Sequence, residues 1–345
     1  MVVHNSSVRL ALVAIASVLA LVPPAQAAVE IQAHRGGPIE AGTAVQPEDS
    51  QPAFDRSDSI GADVVELDAK LSSDRVAFVI HDATLDRTTD CTGQVAQKTA
   101  AELAQCRVDT IGTDSKIKQV TGSTVAPPKL ADVLAWAKAN RVRLNLEIKN
   151  QPTDPDYDPT PGFATAIIDT VTASGIARDQ VLIQSFWPPN IDIAEAAGYR
   201  TALLTLQGSQ NGAIESAQAR GYDVISPAWP IPSAADFVRR AHAAKKQVIP
   251  YTFNGVDDVV AAMDAGVDAV ITNDVILAQR AIYGVDCPAA HAREAAHRQT
   301  MVKARARRSR SRGAARAAAD ASVKRANLRR QAAKRLRLRV CTPGA

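Results

Sequence analysis

Short Val-, Ile- and Leu-rich runs recur from about residue 30 to residue 272, each followed by an Ala-rich stretch with helical spacing. That alternation predicts parallel strands joined by crossover helices. Eight strands are predicted, over residues 30–34, 64–68, 144–148, 181–185, 201–206, 223–226, 247–251 and 268–272. A further run, 76–81, is separated from the second strand by residues 71–75 alone. A parallel crossover takes about a dozen residues, so this run must return antiparallel, as a hairpin, and the parallel count stays at eight. Eight β/α units within roughly 250 residues predict an α/β fold of the (β/α)8 TIM-barrel type, with a doubly wound open sheet as the alternative. Residues 83–128 interrupt the repeat after the hairpin and are expected to form a small inserted lobe over one end of the barrel.

One predicted strand breaks the apolar rule. In VELDA, Glu66 and Asp68 alternate with Val65 and Leu67, so the two carboxylates share a face. In LNLEIK, Asn145, Glu147 and Lys149 share one face and Leu144, Leu146 and Ile148 the other. Ionised carboxylates are too costly to bury without a cation, hydrogen-bond donors or water. TIM barrels carry their chemistry at the C-terminal ends of strands. Glu66, Asp68 and Glu147, from neighbouring strands, make an all-oxygen site suited to one divalent cation, Ca²⁺ or Mg²⁺, rather than a soft metal. The competing reading pairs these carboxylates with Arg35 and Lys149 and needs no metal.

The first strand runs into His34-Arg35-Gly36-Gly37 and the hairpin into His81-Asp82. His242 reads as an ordinary helix-surface residue. Two imidazoles beside a divalent cation suit phosphodiester cleavage, one taking a proton from the nucleophile and the other protonating the leaving oxygen. Arg35, Lys149 and the cation would offset charge on the phosphoryl oxygens. Phe186, Trp187, Trp229, Tyr251 and Phe253 follow strand ends and are candidates for an apolar wall beside the alcohol, or equally for barrel-top core.

The two ends of the chain differ from this body. Arg9, an apolar run over 10–22, Pro23, Pro24 and Ala25-Gln26-Ala27 have the pattern of a secretory signal peptide, residues 1–27. The run falls short of the roughly 20 apolar residues that span a bilayer. The expected location is therefore secreted or extracytoplasmic, where the four cysteines would form disulfides, with Cys91–Cys106 and Cys287–Cys341 the sequence-local pairs. The domain is expected to occupy 28–286 and a basic tail 287–345. That tail holds 17 Lys+Arg against 2 Asp+Glu, leaving 23 against 34 for the rest. It has no aromatic residue for base stacking, so specific nucleic-acid binding is not expected. Anionic envelope polymers or lipid headgroups are the expected partners of such a cation, unless it only solvates the chain.

In order along the chain, AHRGG, QPEDSQPAF, GADVVELDAKLSSDRVAFVIHDATLDRTT, LNLEIK, QSF, YTFN and GVDAVITND resemble the glycerophosphodiester phosphodiesterase family, over about residues 31–274. The resemblance implies a TIM barrel with an insertion after the His-Asp hairpin and a metal held by Glu66, Asp68 and Glu147. It implies His34 and His81 as the acid/base pair and Arg35 and Lys149 at the phosphate; Glu48 is kept as a site residue, and Phe186 and Tyr251 are the strand-end aromatics expected at the substrate. The implied reaction hydrolyses glycerophosphodiesters to sn-glycerol 3-phosphate and an alcohol. The glycerol hydroxyl next to the phosphate attacks first, and water opens the cyclic phosphate. The alternatives are a sphingomyelinase D-like phosphodiesterase that stops at a cyclic phosphate and a non-catalytic envelope adhesin. The chain departs from the family in Asp49-Ser50, where Asn-Thr is usual, which leaves the role of Asp49 open. Tyr251 replaces the usual Trp and Ser73-Asp74-Arg75 the usual Lys-Asp-Gly turn.

Overall fold

The computed structural model describes residues 29–109 and 124–283, with positions 299–303, 305–306, 323, 327 and 331. The expected signal peptide, the Cys287–Cys341 pair and most of the basic tail lie outside the described residues. In chain order the elements are β1 (Glu30–Ala33), β2 (Ile39–Glu40), β3 (Thr43–Ala44), α1 (Gln51–Ile60), β4 (Val64–Leu71), β5 (Ala77–Val79), α2 (Ala100–Leu103) and α3 (Leu130–Asn140). Then follow β6 (Leu144–Ile148), α4 (Gly162–Ser174), β7 (Val181–Ser185), α5 (Pro188–Ala196), β8 (Arg200–Thr205), α6 (Ala213–Arg220), β9 (Val224–Pro227), α7 (Ala234–Ala243), β10 (Gln247–Val248), α8 (Val256–Ala265), β11 (Ala269–Thr272) and α9 (Val275–Tyr283).

Eight of the strands are parallel and hydrogen-bond in the order β10-β9-β8-β7-β6-β4-β1-β11. The two ends of that path meet where Asp268 N–H donates to the Val248 carbonyl (3.0 Å) and Ile271 N–H to that of Pro250 (3.0 Å). The result is a nearly closed (β/α)8 barrel. As expected, β5 returns antiparallel on β4, with Ala69 opposite Val79.

Several strand ends differ from the sequence reading, and three of the differences have a plain local reason. β4 runs on to Leu71 because Ala77 of the hairpin pairs with it. β1 stops at Ala33 because His34–Gly36 turns into a 3₁₀ segment in which Arg35 has φ 51°. β10 keeps only Gln247–Val248 because Pro250 brings no N–H to the ladder.

The core has layers set by strand parity. Val65, Leu67 and Ala69 point outward into a cluster with Phe54 of α1 and Leu130 and Leu134 of α3. Leu182, Ala202, Val224, Ile249, Ala269 and Ile271 form a separate apolar cluster that fills the barrel interior. Each Leu, Val or Ile side chain among them contributes on the order of 1.5–3 kcal/mol through burial. The inserted lobe has its own small core, in which Phe78, Ile80, Leu85, Val95, Leu103 and Cys106 are buried together. Cys91 and Cys106 are joined in a disulfide. No helix among the described residues is long and apolar enough to cross a membrane.

Candidate active site

The parallel pairing of β4 with β6 places Glu66 beside Asn145 and Asp68 beside Glu147. Parity turns all four inward. One ligand oxygen from each of Glu66, Asp68 and Glu147 lies within 4.8 Å of the others. A polar layer supports them: Asn145 Nδ2 donates to Gln32 Oε1 (2.8 Å) and Gln184 Oε1 (3.2 Å), and Gln184 Nε2 donates to Glu66 Oε1 (3.0 Å). Glu66 Oε2 also accepts from the Arg35 backbone N–H at 2.8 Å.

Asp68 is 1 % exposed, yet neither of its oxygens accepts a hydrogen bond. Arg35 Nε lies 3.4 Å from Asp68 Oδ2, an ion pair without hydrogen-bond alignment. Asp49, also buried, accepts from the Asp68 backbone N–H through Oδ1 (3.3 Å) and leaves Oδ2 without a partner. Among the described residues, Glu48, Asp49, Glu66, Asp68, Asp82 and Glu147 together meet only Arg35, Arg87 and Lys149 as arginine or lysine cations. The site is thus short of positive charge. Burial, then the neighbouring Asp68, pushes Glu66 and Asp49 well above the carboxylate range. Burial pushes Glu147 up to about 7 against the pull of Lys149, 2.9 Å away. A buried carboxylate with no donors, in a cluster with excess negative charge and hard oxygen ligands, fits a divalent cation; these residues could bind one.

The HRGG turn sits directly against this cluster. Arg35, Gly36 and Gly37 have φ of 51°, 81° and 59° in succession. A Cβ at Gly36 would stand 2.8 Å from Ala53 Cβ and from the Phe54 ring, so only glycine lets the turn pack on α1. Arg35 pays left-handed strain as a non-glycine residue, a feature that clusters at functional sites. Its Nη1 donates to Glu48 Oε1 at 3.0 Å. Burial disfavours the Glu48 charge, but Arg35 and Arg87 outweigh it and hold Glu48 down at about 2.

Both histidines turn the same nitrogen to the pocket. His34 Nδ1 lies 2.6 Å from Asn273 Oδ1, and the amide's orientation is the one its Nδ2 bond to Asn254 Oδ1 (2.9 Å) requires. His81 Nδ1 lies 2.5 Å from Asp82 Oδ1, and its Nε2 faces Lys149 Nζ at 3.1 Å. Because both Nδ1 atoms face acceptors, the neutral rings carry their proton there and leave Nε2 bare. Burial, then Arg35, lowers His34 to about 3 and also lowers His81.

Every site residue expected from the sequence reaches this end of the barrel. His34, Arg35, Glu66, His81, Glu147, Lys149, Phe186 and Tyr251 line one pocket of about 120 Å³, with Gln184 and Leu204 among the remaining walls. Asp68 and Glu48 lie just behind it, through Arg35. Phe186 and Tyr251 meet edge to face at 5.9 Å, and Lys149 Nζ lies 5.8 Å from the Phe186 centroid. Phe253 and Trp229 instead pack on each other at 5.4 Å in the outer core, and Trp187 packs on Tyr157. A larger cavity of about 880 Å³, between residues such as Glu30, Arg143 and Asp268 at the strands' N-terminal ends, holds none of these groups. Function is therefore assigned to the smaller pocket.

Asn273, Gln184, Arg87 and the buried Lys70 escaped the sequence reading as individual residues. All four stood inside quoted motifs, and Lys70 continues the 66, 68 parity by one step.

The Glycerophosphoryl diester phosphodiesterase family model matches residues 34–277, more than half of the chain. A glycerophosphodiester phosphodiesterase of Bacillus altitudinis is 26% identical over 232 residues, covering 66% of this chain and 89% of its own. An Oleispira antarctica phosphodiesterase, solved with the product sn-glycerol-3-phosphate, superposes with TM-score 0.59 at 21% identity, covering 74% of this chain and 97% of its own. A glycerophosphodiester phosphodiesterase from Agrobacterium tumefaciens str. C58 superposes with TM-score 0.57 at 21% identity, covering 72% and 98%. The two superpositions speak to the fold, and the family match spans both pocket histidines and all three clustered carboxylates. The chain is a phosphodiesterase and belongs to the glycerophosphoryl diester phosphodiesterase family.

Proposed function

We propose that this enzyme hydrolyses glycerophosphodiesters to sn-glycerol 3-phosphate and an alcohol, with one divalent cation, Ca²⁺ or Mg²⁺, held by Glu66, Asp68 and Glu147. The observation that carries the reading is the meeting in one pocket of two histidines, each with Nδ1 held by an acceptor, and a donor-poor cluster of buried carboxylates. When bound, the cation would supply Lewis-acid charge to the phosphoryl group. Arg35 and Lys149 bind and orient the phosphate oxygens, and Phe186 and Tyr251 shield the alcohol side from water. Asp82 favours the cationic form of His81, whereas Asn273 offers His34 only a neutral amide. That difference supports His34 as the base that takes the proton from the attacking glycerol hydroxyl. His81, once it has taken up a proton on Nε2 to give the imidazolium that Asp82 favours, is then the acid that protonates the leaving oxygen. The roles reverse when water opens the cyclic phosphate: His81, left neutral, takes a proton from the water, and His34 gives its proton to the glycerol oxygen that leaves phosphorus, so both rings return to their starting states.

The test is release of glycerol 3-phosphate from glycerophosphocholine by the purified protein, with EDTA and with Ca²⁺ or Mg²⁺ restored. Release that EDTA stops and a metal rescues is expected. A stable cyclic product without glycerol 3-phosphate would move the assignment to the sphingomyelinase D-like alternative, and EDTA-insensitive release would remove the metal from it. Glu66→Ala should abolish turnover while keeping the wild-type circular dichroism spectrum. Export, supported by the signal-like pattern of residues 1–27, and a polyanion partner for the basic tail are proposed with it.

A further inference from the structure

Arg87 lines no part of the pocket, yet the inserted lobe delivers it to both halves of the machinery. Its Nε donates to Asp82 Oδ2 (2.6 Å) and its Nη2 to Asp82 Oδ1 (3.0 Å). Its Nη1 donates to Glu48 Oε2 (3.0 Å) and its Nη2 to Glu48 Oε1 (2.6 Å). Asp82 in turn faces His81 Nδ1, and Glu48 accepts from Arg35 Nη1. One guanidinium therefore forks onto two carboxylates, each of which holds a side chain that works on the phosphate. We propose that Arg87 is a positioning residue that fixes the aim of His81 through Asp82 and of Arg35 through Glu48, and so makes the inserted lobe part of the catalytic apparatus.

The proposal rests on the functional reading above for the roles of His81 and Arg35; the geometry stands without it. Two forked contacts lock each carboxylate plane, which a point charge does not do. Without the guanidinium, Asp82 and Glu48 keep one mobile partner each and repel one another. The backbone that carries Arg87 is itself pinned. Leu85 is fully buried in the lobe core, and Thr89 N–H and Oγ1 both donate to the Leu85 carbonyl, at 3.0 and 2.8 Å. The disulfide begins two residues further on, at Cys91. Catalysis is sensitive to misplacement of this kind, about a hundredfold for an ångström.

Kinetics on glycerophosphocholine separate the branches. Asp82→Asn is expected to lower kcat with little change in KM, and Glu48→Gln to raise KM with little change in kcat. Arg87→Met should do both, with kcat/KM down at least about tenfold. Combining Arg87→Met with Asp82→Asn should give a kcat no lower than Asp82→Asn alone, because both break one link. Arg87→Lys should not restore activity, and millimolar guanidinium should partly rescue Arg87→Ala. Full activity in Arg87→Lys, or multiplying losses in the double variant, would overturn the proposal. One readout is independent of turnover. The His81 Nδ1–H resonance, assigned by its absence in His81→Gln, should be lost or broadened in Arg87→Met while that of His34 persists. An unchanged His81 resonance overturns the proposal. If the wild type releases no glycerol 3-phosphate, the functional reading fails by itself and the resonance still decides the role of Arg87.

Discussion

A buried histidine kept neutral and a buried glutamate kept charged both make a protein sensitive to acid. His34 is lowered from 6.5 to about 3. Between those values the unfolded chain binds a proton that the native chain does not, so stability rises with pH across the window. The contribution is fully present above 6.5 and is lost as the pH falls toward 3. It changes by about 1.4 kcal/mol per pH unit where the difference is complete. Glu48, lowered to about 2 by its arginines, adds a loss of the same sign from its ordinary 4.5 downward. Glu147, raised to about 7, acts the other way, so wild type must be compared with a variant. In urea unfolding of metal-free protein between pH 6 and pH 5, His34→Gln is expected to lose less stability, or gain more, than wild type. Equal slopes would refute the buried neutral state. A second residue-scale prediction concerns His81 as acid. Its replacement by Gln should cost far less on a glycerophosphodiester of p-nitrophenol than on glycerophosphocholine, because p-nitrophenolate leaves without a proton; equal losses would move the acid role to His34. The three clustered carboxylates and both histidines were legible because each follows from strand parity or a strand end. Asn273 was not, because its partner His34 is 239 residues away and only the closed barrel joins β1 to β11.

At the scale of elements, β4 shows how one strand serves core and site at once. Its outward residues pack on helices, while Glu66, Asp68 and Lys70 face inward in sequence. Lys70 is 2 % exposed and grips Asp156 through both oxygens at 2.9 Å, while also donating to the Lys149 carbonyl at 3.1 Å. It thereby holds the loop after β6 against the strand and fixes the backbone from which Lys149 projects. Removing one partner of a buried pair leaves an uncompensated charge, so Lys70→Met should destabilise the protein by about 3–5 kcal/mol. Adding Asp156→Leu should recover most of that loss; denaturant midpoints of the two variants measure it. A double variant no more stable than the single one would show that the pair does not act as a unit. The hydrophobic period revealed the number and direction of the strands, but not their ends. Those depend on what pairs with each end: Ala77 opposite Leu71 lengthens β4, and Pro250 shortens β10. The same long-range dependence hid the partners of Lys70.

For the whole molecule, charge separates the chain into a body and a tail of opposite sign. The full chain carries +4, with 17 Lys+Arg against 2 Asp+Glu beyond residue 286 and 23 against 34 before it. Cutting after Asp286 therefore reverses the sign of the net charge while leaving every residue of the site in place. Attraction of such a cationic segment to polyanions weakens with salt, since the screening length shrinks from about 10 Å at 0.1 M to about 3 Å at 1 M. The full chain is expected to bind heparin-like polyanion resin or vesicles of anionic lipid at 0.1 M salt and to leave them as salt rises. The truncated chain should flow through at any salt with kcat on glycerophosphocholine unchanged. If truncation removes activity as well, the tail supports the barrel and is not an independent anchor. If it changes neither retention nor turnover, the tail only solvates the chain. Retention that is lost while soluble turnover persists would mean that this phosphodiesterase is delivered to an anionic surface by one part of its sequence and acts there with another.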